Sequence, residues 1–286
     1  MNAVTLYRSN SIGVVGLGVS IEHNQPNFFD ALLRGILQGG SRYDRDVTVI
    51  RHSQWAWDDS APLFSSQDYA GLILFGTAFR SPVLEGVDLS GLPAVTIGGA
   101  GERPDLSSVD VDNYTSARAA VQHLIDLGHR RIGYVNGEPI AVWARERYRA
   151  YVDALASAGI PIDYRLIAPV YIAGVNEGYD AACRLLSGPD RPTAIATVND
   201  DTAYGVLSRL AEAGLRVPED VAVIGFDDNP NSVLATPPLS TIRQPKHAIG
   251  TKAFDLVMTH ILNPSAPVEH VTIPGELVLR SSTGQR

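Results

Sequence analysis

A single cysteine, Cys183, occurs in 286 residues. An internal disulfide is therefore excluded, as is a cysteine cluster for zinc, and nothing argues for an oxidising compartment. Positive charge is also short: 23 Lys and Arg against 31 Asp and Glu leave a formal net charge of -8. So acidic a body repels phosphate backbones, because affinity for duplex DNA rests on Lys and Arg displacing counterions. Any role on DNA needs a basic part elsewhere. No apolar run approaches the roughly 20 residues of a membrane span. The stretch 12–19, preceded by Arg8, invites reading as a short signal sequence. It holds Gly13, Gly16 and Gly18, lacks a Leu/Ala run and is followed by no small-x-small cleavage site. It reads instead as the first buried strand of a cytoplasmic protein.

Several chemistries have no carrier. There is no G-x-x-x-x-G-K-[ST] phosphate loop and no G-x-S-x-G nucleophile elbow. The run GVVGLG at 13–18 lacks dinucleotide spacing and lies within a strand rather than at a helix start. The seven histidines (His23, His52, His123, His129, His247, His260 and His270) form no H-E-x-x-H, and His123 and His129 are too far apart to share a helix face. Surface or packing roles are expected for them. The expectation is no metal, no cofactor and no catalytic group.

Hydrophobic residues make up 45% of the chain, enough to fill a sizeable core in two domains of ordinary size. Short β-branched runs alternate with longer helical patterns. Strands are expected at 12–19, 47–51, 71–75, 94–97, 108–111, 132–135, 166–170, 194–198 and 221–225. Helices are expected at 28–40, 113–128, 142–158, 174–187, 200–213 and 246–262. Continuous apolar runs of this kind mark parallel strands buried on both faces. Asp112 and Asn113 offer an N-cap, and Gly128, Gly159 and Gly214 offer helix stops. The pattern predicts an α/β fold. About nine strands exceed one small sheet, so two sheets are expected, with a break near 110–113 and a return near 244–246.

Carboxylates cluster at Asp200-Asp201 and Asp227-Asp228. Asp suits helix caps and turns. Both pairs also follow expected strands directly, and open α/β sheets bind ligands beyond the carboxyl ends of their strands. The residues alone leave both readings open.

From about residue 110 onward the chain resembles the effector domain of LacI/GalR repressors. The resemblance rests on LGHRRIGY at 127–134, ARERY at 144–148, RPTAIATVND at 191–200, GLRVPEDVAVIGFDD at 214–228 and PPLSTIRQP at 237–245. A looser match covers SIGVV at 11–15, NFFDALLRG at 27–35 and AGLIL at 70–74. It implies two Rossmann-like lobes with parallel sheets, joined by three crossover strands, as in periplasmic sugar-binding proteins. The implied domains are a hinge or linker remnant at 1–10, an N-terminal lobe of 11–112 plus 245–272, and a C-terminal lobe of 113–244 plus 273–286. Family members carry an N-terminal helix-turn-helix headpiece and a hinge helix, and neither is expected in these residues.

The resemblance also implies a mechanism. A small effector, by default a sugar or sugar derivative, binds between the lobes and shifts their orientation by its differential affinity for two states. Operator DNA, contacted through a headpiece, and effector then affect each other reciprocally. A homodimer without membrane contact is expected. Carried over residue by residue, Arg147 is the second arginine of the Ala-Arg-x-Arg pattern and reaches the effector, unless it is a surface helix arginine. Its guanidinium fork suits vicinal hydroxyls or a carboxylate. Asn199 is a ligand contact or a cap, and Asp227 a hydroxyl acceptor or a turn residue. Gln244, in the Ile-Arg-Gln-Pro run, matches another contact. Phe28 and Phe29 match the aromatic pair opening the first helix, for stacking on a sugar face or for core packing. Asn27 joins them as a candidate contact. Trp143 stacks on a ring or makes a helix-start contact.

Some positions depart from the family pattern. Pro26-Asn27 stands where Asn-Pro is common, Gly98-Gly99 follows Ile97 where some members have Asp, and Tyr171 replaces an aromatic ring near Ala173. A transport-type sugar-binding protein is the alternative function for the same fold.

Overall fold

Strand β1 (Ser11–Gly16) places Ile12, Val14 and Val15 out of contact with solvent. This is the pattern of a strand covered on both faces. In this computed structural model, residues 9–16, 26–51, 67–75, 91–98, 103–139, 141–171, 173–188 and 190–284 are described. Residues 1–8 of the expected linker, 17–19 of the expected first strand, His23, His52 and Gly99 lie outside them.

The chain divides into two compact units. The first comprises Met1–Val111 and Lys246–Ile273, the second Asp112–Pro245 and Pro274–Arg286, so the chain passes between units three times. In the first unit, β1 is followed by α1 (Pro26–Tyr43), β2 (Asp46–Arg51), β3 (Gly71–Phe75), β4 (Ala94–Ile97) and β5 (Ser107–Val111). The second unit supplies α2 (Asn113–Asp126), β6 (Ile132–Asn136), α3 (Val142–Ser157), β7 (Ile167–Pro169), α4 (Val175–Leu186), β8 (Ala194–Thr197), α5 (Asp200–Glu212), β9 (Ala222–Ile224) and β10 (Thr241–Arg243). The chain returns to the first unit for α6 (Lys246–Leu262) and β11 (His270–Ile273), then ends in the second with β12 (Glu276–Val278).

The first unit's sheet runs β11-β5-β4-β3-β1-β2 and the second's β7-β6-β8-β9, and every pair within them is parallel. Strands β10 and β12 form a separate antiparallel pair. The expected α/β class with parallel sheets is thus present. Three strands were not expected from the pattern: β10, β11 and β12. Each is only three or four residues long, and β11 alternates half-buried and exposed positions at a sheet edge, so none gives a continuous apolar run. At the expected strand 166–170, Asp163 accepts from the Arg165 amide (3.0 Å) and closes a 3-10 turn over Tyr164–Leu166, leaving only Ile167–Pro169 extended.

Helix ends follow their chemistry. Asp112 Oδ1 accepts from the Thr115 amide at 2.8 Å and caps α2. Gly128, Gly159 and Gly214 follow α2, α3 and α5 with φ of 97°, 66° and 68°, the conformation that stops a helix.

In each unit two helices meet through glycine. A Cβ on Gly35 of α1 would lie 2.0 Å from the His247 carbonyl oxygen of α6, and one on Gly250 2.1 Å from that of Leu32. In the second unit a Cβ on Gly178 of α4 would lie 2.1 Å from the Thr202 oxygen of α5, and one on Gly205 2.0 Å from that of Val175. These contacts hold main chain against main chain. Gly205→Ala is expected to lower stability by about 1–3 kcal/mol, the cost of overpacking exceeding the gain in helix propensity. At Gly188 an added Cβ would meet only the Asp190 amide at 4.0 Å, so Gly188→Ala should shift the urea midpoint far less. Parallel urea titrations of the two variants check this.

Candidate functional site

Strands β6, β8 and β9 are parallel and end at one edge of the second unit's sheet. Asn136 closes β6, Val198 and Asn199 follow β8, and Phe226, Asp227 and Asp228 follow β9. Helix α3 brings Arg147 to the same edge. The Arg147 side chain is buried, donating from Nε to Asn113 Oδ1 at 2.8 Å and from Nη1 to the Val198 carbonyl at 2.6 Å. Its guanidinium carbon lies 3.5 Å from the Phe226 ring centroid and 5.2 Å from that of Trp143. A buried cation needs such partners, because desolvation is costly. The reading of Arg147 as a surface helix arginine is corrected by its burial.

Asp227 is 1% exposed. Its amide donates to the Ile242 carbonyl at 2.8 Å, and its Oδ1 accepts from Gln244 Nε2 at 2.5 Å. The backbone takes φ of 129° at Asp227 and 50° at Asp228. Two consecutive non-glycine residues with positive φ are unfavourable, and such outliers cluster at functional sites. Asp227 and Gln244, 17 residues apart in sequence, are therefore one hydrogen-bonded pair.

The neighbouring carboxylates have other work. Asp228 accepts from Arg243 Nε at 2.7 Å and Arg280 Nη2 at 2.6 Å, clamping its loop to β10 and to the segment after β12. Asp200 is fully buried; its Oδ2 accepts from the Asn229 amide (2.8 Å) and Ser232 Oγ (2.7 Å), and its Oδ1 from Thr241 Oγ1 (2.5 Å). Burial first, then the charge of Asp227, push the Asp200 carboxyl up to about 6, against the pull of its hydrogen bonds. Of the two readings left open for the pairs, the structural one is met at Asp200 and Asp228, which are tied into the protein.

At Asn199 the capping geometry is present. Its Oδ1 accepts from the Thr202 amide at 2.9 Å while Thr202 Oγ1 accepts from the Asn199 amide, a reciprocal capping box on α5. Its Nδ2 donates to the Ala173 carbonyl at 2.8 Å. The side-chain amide thus makes the cap contacts of α5 and ties it to the Ala173 carbonyl. Trp143 packs on Gly137, where a Cβ would lie 3.0 Å from the indole, so the helix-start contact is realised.

Phe28 and Phe29 belong to the first unit. Both are half-buried and lie 5.7 and 5.8 Å from the Phe75 ring at the end of β3; Lys246 Nζ is 5.4 Å from the Phe28 ring. The packing alternative is thus realised at both. Asn27 sits in the first turn of α1, and its side chain lies outside what is described. The edge also holds three residues that the sequence reading did not select. Asn113 orients Arg147, Phe226 stacks beneath it, and Asn136 has a buried side-chain oxygen without a hydrogen-bond partner. Phe226 lies inside the Gly-Phe-Asp-Asp motif; Asn136 shows in sequence only as the polar residue that ends an apolar run.

Among the described residues no group of three His, Cys, Asp or Glu could hold a metal ion, and no helix is long and apolar enough to cross a membrane. The model of the periplasmic binding protein-like domain matches residues 121–283, more than half of the chain. The ribose operon repressor of Escherichia coli is 31% identical over 273 residues, 93% of this chain and 81% of that protein. The chain belongs to the LacI/GalR family. The family's transcriptional repressor PurR of Mannheimia succiniciproducens is 35% identical over 191 residues, 67% of this chain and 57% of that protein. The regulator CelR, solved as a cellobiose complex, superposes with a TM-score of 0.86 at 26% identity, covering 96% of this chain and 85% of that one.

The Asp200 network predicts a pH signature. A carboxyl raised in the folded state contributes stability that is full below about pH 4 and is lost as pH rises through about 6. Asp200→Asn should lower the melting midpoint at pH 4.5, because the carboxamide NH2 cannot accept the hydrogen bonds that one of the two carboxyl oxygens takes. Its midpoint should then fall less steeply than the wild type's between pH 4.5 and 7. Melting curves of both proteins across that range test the sign.

Proposed function

We propose that this chain is the effector-sensing part of a transcriptional repressor, and that the edge bearing Arg147, Asp227 and Gln244 binds a sugar or sugar derivative. The observation that carries the reading is the buried, opposite-charge set of Arg147 and Asp227, with Asp227 held in a strained backbone at strand ends. A cation and a carboxylate together suit hydroxyls, which both donate and accept, better than a phosphate or a sugar acid, which the carboxylate would repel. The cellobiose-bound relative supports a sugar. Asn199 is left out of the contact set because its amide is engaged in capping.

Effector binding controls DNA affinity through a headpiece outside these residues. The net charge of -8 supports that division of labour, since an acidic body does not itself hold duplex DNA. Acting on DNA places the protein in the cytoplasm and requires no catalytic step. A homodimer, the assembly expected for the family, belongs to the same proposal. The transport-protein alternative is less favoured, because the curated relatives named above are repressors.

A thermal-shift screen against D-ribose, D-glucose, cellobiose, sugar phosphates, purines and nucleosides tests the reading. A sugar at about 100 times its Kd should add about 2.7 kcal/mol. The shift should vanish in Asp227→Ala and Arg147→Ala. A sugar shift retained in both variants would overturn the site; a response confined to phosphates or purines would overturn the effector class.

A further inference from the structure

Two buried side-chain atoms among the described residues have no hydrogen-bond partner: Tyr134 Oη and Asn136 Oδ1. Both lie on β6, two residues apart, so they face the same side of the sheet. That side is α3's. The Tyr134 ring stacks on Tyr151 of α3 at 4.7 Å and lies 6.0 Å from Tyr148, whereas the intervening Val135 packs among α4 and α5 residues. Tyr134 is the deeper of the two and is 2% exposed. Asn136 is at the carboxyl end of the strand and is 9% exposed. Its carbonyl accepts from the Val170 amide at 2.8 Å, whereas its side-chain Oδ1 is left unmatched. The next residue, Gly137, lies against Trp143, which neighbours Arg147. Asn136 therefore sits at the edge where Arg147 and Asp227 stand.

An unmatched buried acceptor costs about 1–3 kcal/mol, which an apolar residue of the same shape would avoid. We propose that Asn136 is a specificity-determining contact: its side-chain oxygen accepts a hydrogen bond from a hydroxyl of a neutral sugar bound at this edge. The inference rests on the effector reading above and adds to it a second acceptor, two strands away from Asp227. A sugar that lacks the hydroxyl at that end would leave the oxygen buried and unmatched in the complex. A site built this way rejects the deoxy compound more strongly than an apolar pocket rejects a missing methylene.

The test compares the 286-residue protein with Asn136→Leu, Asn136→Ala and Asp227→Ala. The probes are D-ribose, D-glucose, cellobiose and their monodeoxy derivatives, followed by calorimetric titration and by melting without ligand. For a sugar that binds the wild type, Asn136→Leu should melt no lower than wild type without ligand, because an unmatched acceptor has gone. Its affinity for that sugar should fall about 10- to 100-fold. One monodeoxy derivative should bind the wild type weakly by a similar factor, and bind Asn136→Leu no worse than the parent sugar does. A merely structural asparagine would instead lower the ligand-free midpoint and leave the discrimination intact.

Unchanged affinity and discrimination in Asn136→Leu, with binding lost in Asp227→Ala, would overturn the Asn136 proposal alone; the oxygen would then hold an ordered water. If Asn136→Leu does not fold, Asn136→Ala carries the same comparison, and failure of both to fold assigns a structural role and overturns the proposal. Absence of binding by every sugar to the wild type would overturn the sugar reading, and this inference with it.

Discussion

One buried carboxylate organises the edge proposed to bind the effector. Asp200 stands at the first position of α5, where the helix N-terminus favours negative charge. From there it gathers the Asn229 amide, the Ser232 hydroxyl and the Thr241 hydroxyl. These three donors lie after β9, in a short 3-10 turn, and at the start of β10. Fixing them leaves the intervening residues 225–228 little freedom. Gly225 is the visible cost, since a Cβ there would lie 2.2 Å from Asp200 Oδ1. The unusual φ of Asp227 and Asp228 is held in place by the same ties, with Arg243 and Arg280 locking the second of the two. The loop is thus held by the protein's own contacts, and a loop fixed in this way carries a lower ordering cost on binding.

Arg147 occupies the complementary position. Buried charges survive when hydrogen bonds and polarisable surfaces replace water. Here a side-chain amide, a strand-end carbonyl and a phenyl face do so, each from a different element. Asn113 comes from α2, Val198 follows β8 and Phe226 follows β9. The guanidinium therefore reports on the relative placement of three segments, and its orientation is as well defined as theirs.

Much of this was legible in the residues. The apolar runs fixed the parallel strands to within a few positions, because strands covered on both faces carry an unbroken signal. The short strands β10, β11 and β12 carried none: three or four half-exposed residues have no period to read. At the site, residue type told which chemistry was present but not how it was allocated. Asp200, Asp227 and Asp228 are the same side chain on neighbouring strand ends. Only the three-dimensional donors distinguish a structural tie from a ligand acceptor. Asn199 reads as contact or cap until Thr202 and Ala173 are seen to take up its amide. Asn136 was invisible for the opposite reason, since what marks it is a partner that is missing, and sequence does not list partners.

The glycine contacts between helices have a mechanical consequence. Gly178 and Gly205 place the main chains of α4 and α5 against each other with no side-chain layer between them. Side chains are the compliant part of a helix interface, because they change rotamer, whereas main-chain atoms do not yield. The N-terminus of α5 carries Asn199 and Asp200 beneath that edge, less than one turn from Thr202, where the rigid joint begins. A push delivered there cannot be absorbed by local repacking. It is carried as displacement of the helix pair, so the floor of the site behaves as a lever rather than a cushion.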